Sequence, residues 1–382
     1  MVQDEENCLT KANLPDADWQ IVADESDAGL ADEAQTFDGL IDAIESTMER
    51  ARNAAARHVC IDQLLAYWNN GRLIVEYEQN GRDRAEYGDK TLVRLSKRLT
   101  ERLGRGFSRS NLQYMRLLYL KHPICQTLSG KLTFSHYCEV LDLDDDAKRG
   151  FYEREAANAG WSVRELRRQM DSMLFERVLS AKGNASRQDV LGLANEGIAY
   201  SQPSDAIKSP YVLEFLGLPD SMAPLERDLQ DSLVKQIEKF MLELGRGFMF
   251  VGTNQRVPVG SEKDFVDMVF YNKPLRAYVL IELKTTKLMA SAVGQINEYL
   301  NYYAAEVNDE YDNPPIGIIL CTDKNHVRAE YALGGLNNSI FASTYTLNLP
   351  DKEQLEEQVR RTIEANELKL LGDSATDEGL TE

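Results

Sequence analysis

The chain has few of the residues that build disulfide frameworks or zinc sites. Among its 382 residues are five cysteines (Cys8, Cys60, Cys125, Cys138 and Cys321), with no CxxC pair. Thiols so widely spaced read as small buried hydrophobes in a reducing compartment. Histidine is scarcer still. His58, His122, His136 and His326 share no metal-ligand spacing and read as capping or surface residues. Long apolar runs are missing, which argues against a membrane span. No basic stretch followed by an apolar run opens the sequence as a secretory signal would, so a cytoplasmic location is expected. Bases are outnumbered too: 43 Lys and Arg against 62 Asp and Glu leave a net charge of -19. Taken as a total, that charge would repel a phosphate backbone.

The total hides two opposite segments. Residues 1–45 hold thirteen acidic side chains and a single base, Lys11, and residues 1–37 read as a disordered acidic arm. Between Lys90 and Lys121 nine bases face one acid, Glu101. Within KTLVRLSKRLTERL, Leu92, Leu95, Leu99 and Leu103 recur at helical spacing and predict a buried stripe, with Arg94, Arg98 and Arg102 beside it. The glycines of LGRGF at 103–107 stop that helix, Ser108 caps the next, and His122-Pro123 ends it. Two helices joined by a glycine turn predict a helix-turn-helix. Its second helix would bury Leu112, Met115 and Tyr119 and present Arg109, Gln113 and Arg116 to DNA, with Arg105 in the turn. A solvated helical hairpin is the plainer alternative, but solvation does not require charges nearly all of one sign.

Residues 38–181 read as one helical domain, 182–222 as a linker, 223–350 as an α/β layered domain, and 351–382 as a last helix with an acidic tail. A helix starting behind Pro224 runs to a second LGRGF at 244–248. Short β-rich runs then follow, FMFVGTNQRVPVG, DFVDMVFYN and RAYVLIELK, with a helix at ASAVGQINEYLNYYAAEV and a buried strand at IGIILCT. Neither LGRGF has the third glycine of a nucleotide loop or a following Lys-Ser/Thr pair, so both read as helix stops.

The chemistry concentrates in VDMVFYNKPLRAYVLIELK. Period-two alternation puts Glu282 and Lys284 on one face of their strand, and Asp267 lies on the strand before. Charges closing an apolar strand need compensation. Asp267 and Glu282 are hard oxygen ligands suited to Mg²⁺, with Mn²⁺ a plausible substitute. Lys284 could orient or help deprotonate an attacking water and offset charge on phosphate. Gln295 and Tyr299 fall on one helical face, where Gln295 could hold the water or a phosphate oxygen. Lys324, after a strand end, reads as structural more than phosphate-binding.

Asp267, Glu282-Leu283-Lys284 and Gln295-x-x-x-Tyr299 together resemble the PD-(D/E)XK nuclease core. IKSPYVLEFLGL, FMLELGRGFMFVG, VGQINEYLNYY and, in the N-terminal half, LSKRLTERLGRGFSRSNLQYMRLLYL and FYEREAANAGWSVRELRRQM resemble the YhcG family of bacterial PDDEXK proteins. The resemblance covers roughly residues 45–350. It implies a winged-helix-like, DNA-binding N-terminal domain ahead of a three-layer α/β/α restriction-endonuclease-like domain. It also implies metal held by Asp267 and Glu282, a backbone carbonyl from Leu283, and Lys284 as the catalytic lysine. The family pattern has an acid on the first core helix where LERDLQDSL has Gln230, and Glu226, one turn earlier, is the nearest substitute. The expectation is a Mg²⁺-dependent DNA nuclease, with RNA left open as substrate. The rival expectation is a catalytically silent DNA-binding scaffold of a defence or toxin–antitoxin system, with a homo-oligomer or defence partner in either case.

Overall fold

The computed structural model describes residues 37–80, 88–182, 185–218, 225–258, 264–323 and 339–377. The acidic arm up to residue 36, Pro224, Lys324 and His326 lie outside the described residues. The chain divides into two compact units, Met1–Asp144 and Asp145–Glu382.

The described part of the first unit is helical. A long helix α1 (Phe37–Asn80) is followed by α2 (Gly88–Leu103), α3 (Arg109–Lys121) and α4 (Phe134–Val140). Ile74, Leu92, Leu112 and Met115 form its core, with Leu95 and Leu99 partly buried against them. Leu103 departs from the expected stripe: it is 64% exposed, because the helix ends there and the chain turns away. Ser108 caps α3 by accepting the Asn111 N–H, and His122 closes it. Leu118 replaces Tyr119 among the fully buried positions of α3, and Tyr119 packs edge-on against Trp68 instead. His136 does cap, accepting the Thr133 N–H at 3.2 Å, yet it is buried and not a surface group. Among the described residues this unit has no strand, so the wing of a winged helix is not part of what is seen.

The second unit begins with α5 (Asp146–Ala159), α6 (Val163–Asp171), α7 (Leu174–Ala181) and α8 (Arg187–Glu196). The stretch read as linker thus holds α8 and also β1 (Tyr211–Val212), a strand of the main sheet. The helix expected after Pro224 is broken at Gln236 into α9 (Glu226–Lys235) and α10 (Ile237–Leu244). Then come β2 (Phe248–Val257), β3 (Asp264–Asn272), β4 (Ala277–Leu283), α11 (Ala290–Tyr302), β5 (Ile316–Cys321), β6 (Ser339–Thr346) and α12 (Lys352–Asp377).

The sheet runs β1-β6-β5-β4-β3-β2, parallel from β1 to β4 and antiparallel from β4 to β2. Every residue of IGIILC is buried, as a parallel strand covered on both faces requires. On one face Leu229, Leu233, Phe240 and Leu244 of α9 and α10 pack against Met268, Phe270 and Ile281. On the other, Val293, Ile296 and Leu300 of α11 pack against Val269, Leu280 and Ile319. The second unit is therefore a mixed sheet between helical layers.

Candidate active site

The two proposed carboxylates meet because of strand register. Antiparallel β3 and β4 pair Met268 with Ile281, so one step further along the ladder Asp267 lies opposite Glu282. Ile281 and Leu283 point into the core beneath α9 and α10, which leaves Glu282 on the side of α11. Asp267 Oδ2 accepts the Leu283 backbone N–H at 2.8 Å. Glu282 Oε1 accepts from Lys284 Nζ at 2.9 Å, and Lys284 Nζ also lies 3.5 Å from Glu226 Oε2 on α9. Glu282 is 3% exposed, and its Oε2 is buried without a hydrogen-bond partner among the described residues.

Burial, then the adjacent Asp267 carboxylate, push the Glu282 pKa up to about 7. Burial likewise raises Asp267, against the Leu283 N–H and Lys284 that favour its anion. Burial works against the Lys284 ammonium, but Glu282, Glu226 and Asp267 more than offset it and hold its pKa above the ordinary lysine value. Two buried carboxylates this close, one with an oxygen that has no hydrogen-bond partner among the described residues, could share a cation. Lys284 supplies part of that charge, but it reaches Oε1 and not Oε2. Among the described residues no group of three or more His, Cys, Asp and Glu is arranged as a metal site, and Asp267 and Glu282 are the two carboxylates here that could hold an ion.

Gln230 lies at the site, although it is not an acid. Its buried amide donates to the Asp267 backbone carbonyl at 2.9 Å and to Asn254 Oδ1 at 3.3 Å. A carboxylate has no hydrogen to make either bond, so Gln230 braces β3 from α9 instead of adding charge. The sequence signal for Asn254 is slight, an Asn-Gln pair inside the apolar run of β2. Asn254 sits in the left-handed region with φ 48°, where Asn is one of the few tolerant residues. Gln295 Nε2 donates to Tyr299 Oη at 2.6 Å on α11, and Tyr299 is fully buried. Burial first raises the Tyr299 pKa, and Glu282 and Asp267 add to the rise, so the hydroxyl stays protonated near them.

Of the basic surface in the first unit, Arg94, Arg98, Arg102, Arg105 and Arg109 are exposed. Gln113 and Arg116 are half-buried, and Arg116 is committed to Glu78 of α1 at 2.7 Å.

Helices on both faces of a mixed sheet, with an Asp and an E-x-K meeting across two of its strands, make this a protein of the PD-(D/E)XK class. The YhcG PDDEXK nuclease domain matches residues 204–360, and the DUF1016 N-terminal domain matches residues 43–177. The chain belongs to the YhcG family. It is 37% identical over 369 residues to "Putative nuclease YhcG" of Escherichia coli (strain K12), across 88% of this chain and 96% of that one. A repair endonuclease from Pyrococcus abyssi is similar over 33% of this chain and 48% of its own, at 19% identity and a TM-score of 0.23, too slight a likeness to argue from. Among the described residues no helix is long and apolar enough to cross a membrane.

Proposed function

We propose that this chain is a metal-dependent nuclease that hydrolyses DNA phosphodiester bonds, with the DNA bound by the basic face of α2 and α3. The observation that carries the reading is the Asp267–Glu282 pair with the bare Oε2 of Glu282. Two converging carboxylates, one of them unsatisfied, fit a hard divalent cation; Asp267 and Glu282 would hold it, with Mg²⁺ expected and Mn²⁺ able to substitute. When bound, such an ion polarises a phosphoryl oxygen and acidifies a water.

The chain's own residues supply the rest. Lys284, with its pKa held up by three carboxylates, remains an ammonium and acts as a donor to a phosphate oxygen, not as a base. Glu226 and Glu282 fix its position from two elements. Gln230 holds the Asp267 end of β3 in place through the backbone. Gln295, oriented by Tyr299, keeps its carbonyl oxygen available to accept from a water.

Lys284→Ala should lower Mg²⁺-dependent cleavage of duplex DNA by about 100-fold or more while leaving DNA affinity nearly intact. Cleavage at the wild-type rate would sink the assignment. One observation favours a second reading, a silent DNA-binding scaffold: the side chain that meets the Asp267 end of β3 from α9 is the neutral Gln230, which adds no carboxylate to the pair. Calorimetric titration of Mn²⁺ into wild type and Asp267→Ala separates the two, because the scaffold predicts equal and negligible binding by both.

A further inference from the structure

A second polar site lies within the same unit, away from the carboxylate pair. A cleft of about 480 Å³ opens where α5 and α7 meet the second LGRGF turn. Leu174, Met241 and Phe248 give it an apolar lining, and Trp161 and Tyr200 add aromatic surface. Phe248 starts β2 and pairs with Asn272, whereas Asn254, beside Asp267, is six residues further along. At ~3.3 Å per residue the cleft is about 20 Å from the carboxylates.

Two charged side chains face this cleft from deep burial. Glu155 of α5 is 5% exposed, and its Oε1 accepts the Ile198 N–H at 2.7 Å. Its other oxygen has no hydrogen bond among the described residues. Burial raises the Glu155 pKa, and the Ile198 N–H, Arg246 and Lys208 only partly oppose it. Lys208 is 3% exposed and donates one ammonium hydrogen to the Glu243 carbonyl, which leaves two. The walls are kept thin at two glycines. A Cβ on Gly197 would come within 2.3 Å of Glu155 Oε1, and one on Gly245 within 2.6 Å of Tyr200 Oη. At the rim, Arg246 stacks over the Tyr200 ring and Glu238 lies nearby with the opposite charge, so the rim carries little preference for an anion.

An acceptor-only carboxylate beside a donor-only ammonium, with aromatic surface at hand, selects for a flat group carrying both donors and acceptors. Guanine fits on every count. Its N1 and N2 hydrogens are neighbouring donors for Glu155, and its O6 and N7 are acceptors for Lys208. Adenine offers the carboxylate only its N6 amino group. We propose that this cleft is a guanine-selective nucleobase site, with Glu155 and Lys208 reading the base and Trp161 and Tyr200 stacking on it. A free guanine nucleotide and an unpaired guanine in a strand present the same chemistry. The proposal is independent of the nuclease reading.

Calorimetry on the full chain in EDTA, with GMP, IMP and AMP as probes, tests it. GMP should bind, and IMP, which lacks the N2 amino group, should bind at least ~10-fold more weakly, with AMP weaker than GMP by a similar factor or more. Glu155→Gln should erase the preference for GMP over AMP. Leu242→Trp, at a cleft position 45% exposed, should fill the space and abolish binding without disturbing the core, even if Glu155→Gln fails to fold. Oligothymidine with one central guanine, set against all-thymine strand, is the second arm. A guanine-dependent gain that Leu242→Trp removes places a strand base in the cleft; GMP binding without that gain assigns the site to the free nucleotide. No guanine preference in either arm, or a preference that survives Leu242→Trp, would overturn the proposal.

Discussion

Glu282 stands at the end of a strand that is otherwise apolar, with one carboxylate oxygen on Lys284 and the other without a hydrogen-bond partner among the described residues. Its pKa, raised by burial and by Asp267 from 4.5 to about 7, has a thermodynamic consequence. In the metal-free protein the folded state keeps a proton that the unfolded chain releases near pH 4.5. The stability this gives is fully present below the unfolded value and is lost as pH rises through about 7. Denaturant midpoints measured in EDTA should therefore fall between about pH 5 and 8, and Glu282→Gln should flatten that fall. An unchanged slope in the variant would place the titration elsewhere. Asp267, Glu282 and Lys284 could be picked from the sequence because charge on an apolar strand is conspicuous. The brace from Gln230 to the Asp267 carbonyl could not, because it joins residues 37 positions apart through a backbone atom that carries no sequence signature.

At the scale of elements, both LGRGF turns end helices, and their glycines all take positive φ: 85° and 113° in the first copy, 118° and 85° in the second. The role of each turn was readable, because only glycine enters that region without strain. What the helices pack against was not. In the first unit α1 crosses α3 at Gly71, where an added Cβ would sit 1.9 Å from the Met115 carbonyl oxygen. The Trp68 indole N–H ties the same crossing to the His122 carbonyl at 2.7 Å. Gly71→Ala must force the helices apart, and we expect a loss of about 1–3 kcal/mol by chemical denaturation. Leu73→Ala, two residues on but 58% exposed, should change little. The strands β1 and β6 carry no local signal for a related reason: SIFASTYT is half polar, and its partner strands are β1, more than a hundred residues earlier, and β5, which ends at Cys321.

Across the whole molecule, charge is sorted by segment, and net charge alone misleads about partners. A chain with a formal charge of -19 still exposes Arg94, Arg98, Arg102, Arg105 and Arg109 close together in sequence. If these arginines meet phosphates, replacing Arg94, Arg98 and Arg102 together by Ala should weaken DNA binding and reduce the log–log salt slope by roughly 3. Arg116→Ala should leave that slope nearly unchanged, because its guanidinium is already spent on Glu78. Equal effects from the two variants would remove the distinction between exposed and internally paired arginines.

By itself the sequence determined the helix stops, the order of helices and strands through most of the second unit, and the residues that carry charge on an apolar strand. These are local properties, set by backbone preference and by periods of two or near four. Tertiary structure alone decided that Asp267 faces Glu282, that Gln230 braces rather than charges the site, that Arg116 turns inward, and that Glu155 and Lys208 share one cleft. Each of those depends on strand register or on helices brought together over long stretches of chain. The free energy that selects them is apolar burial summed over the whole core, and no short segment carries it.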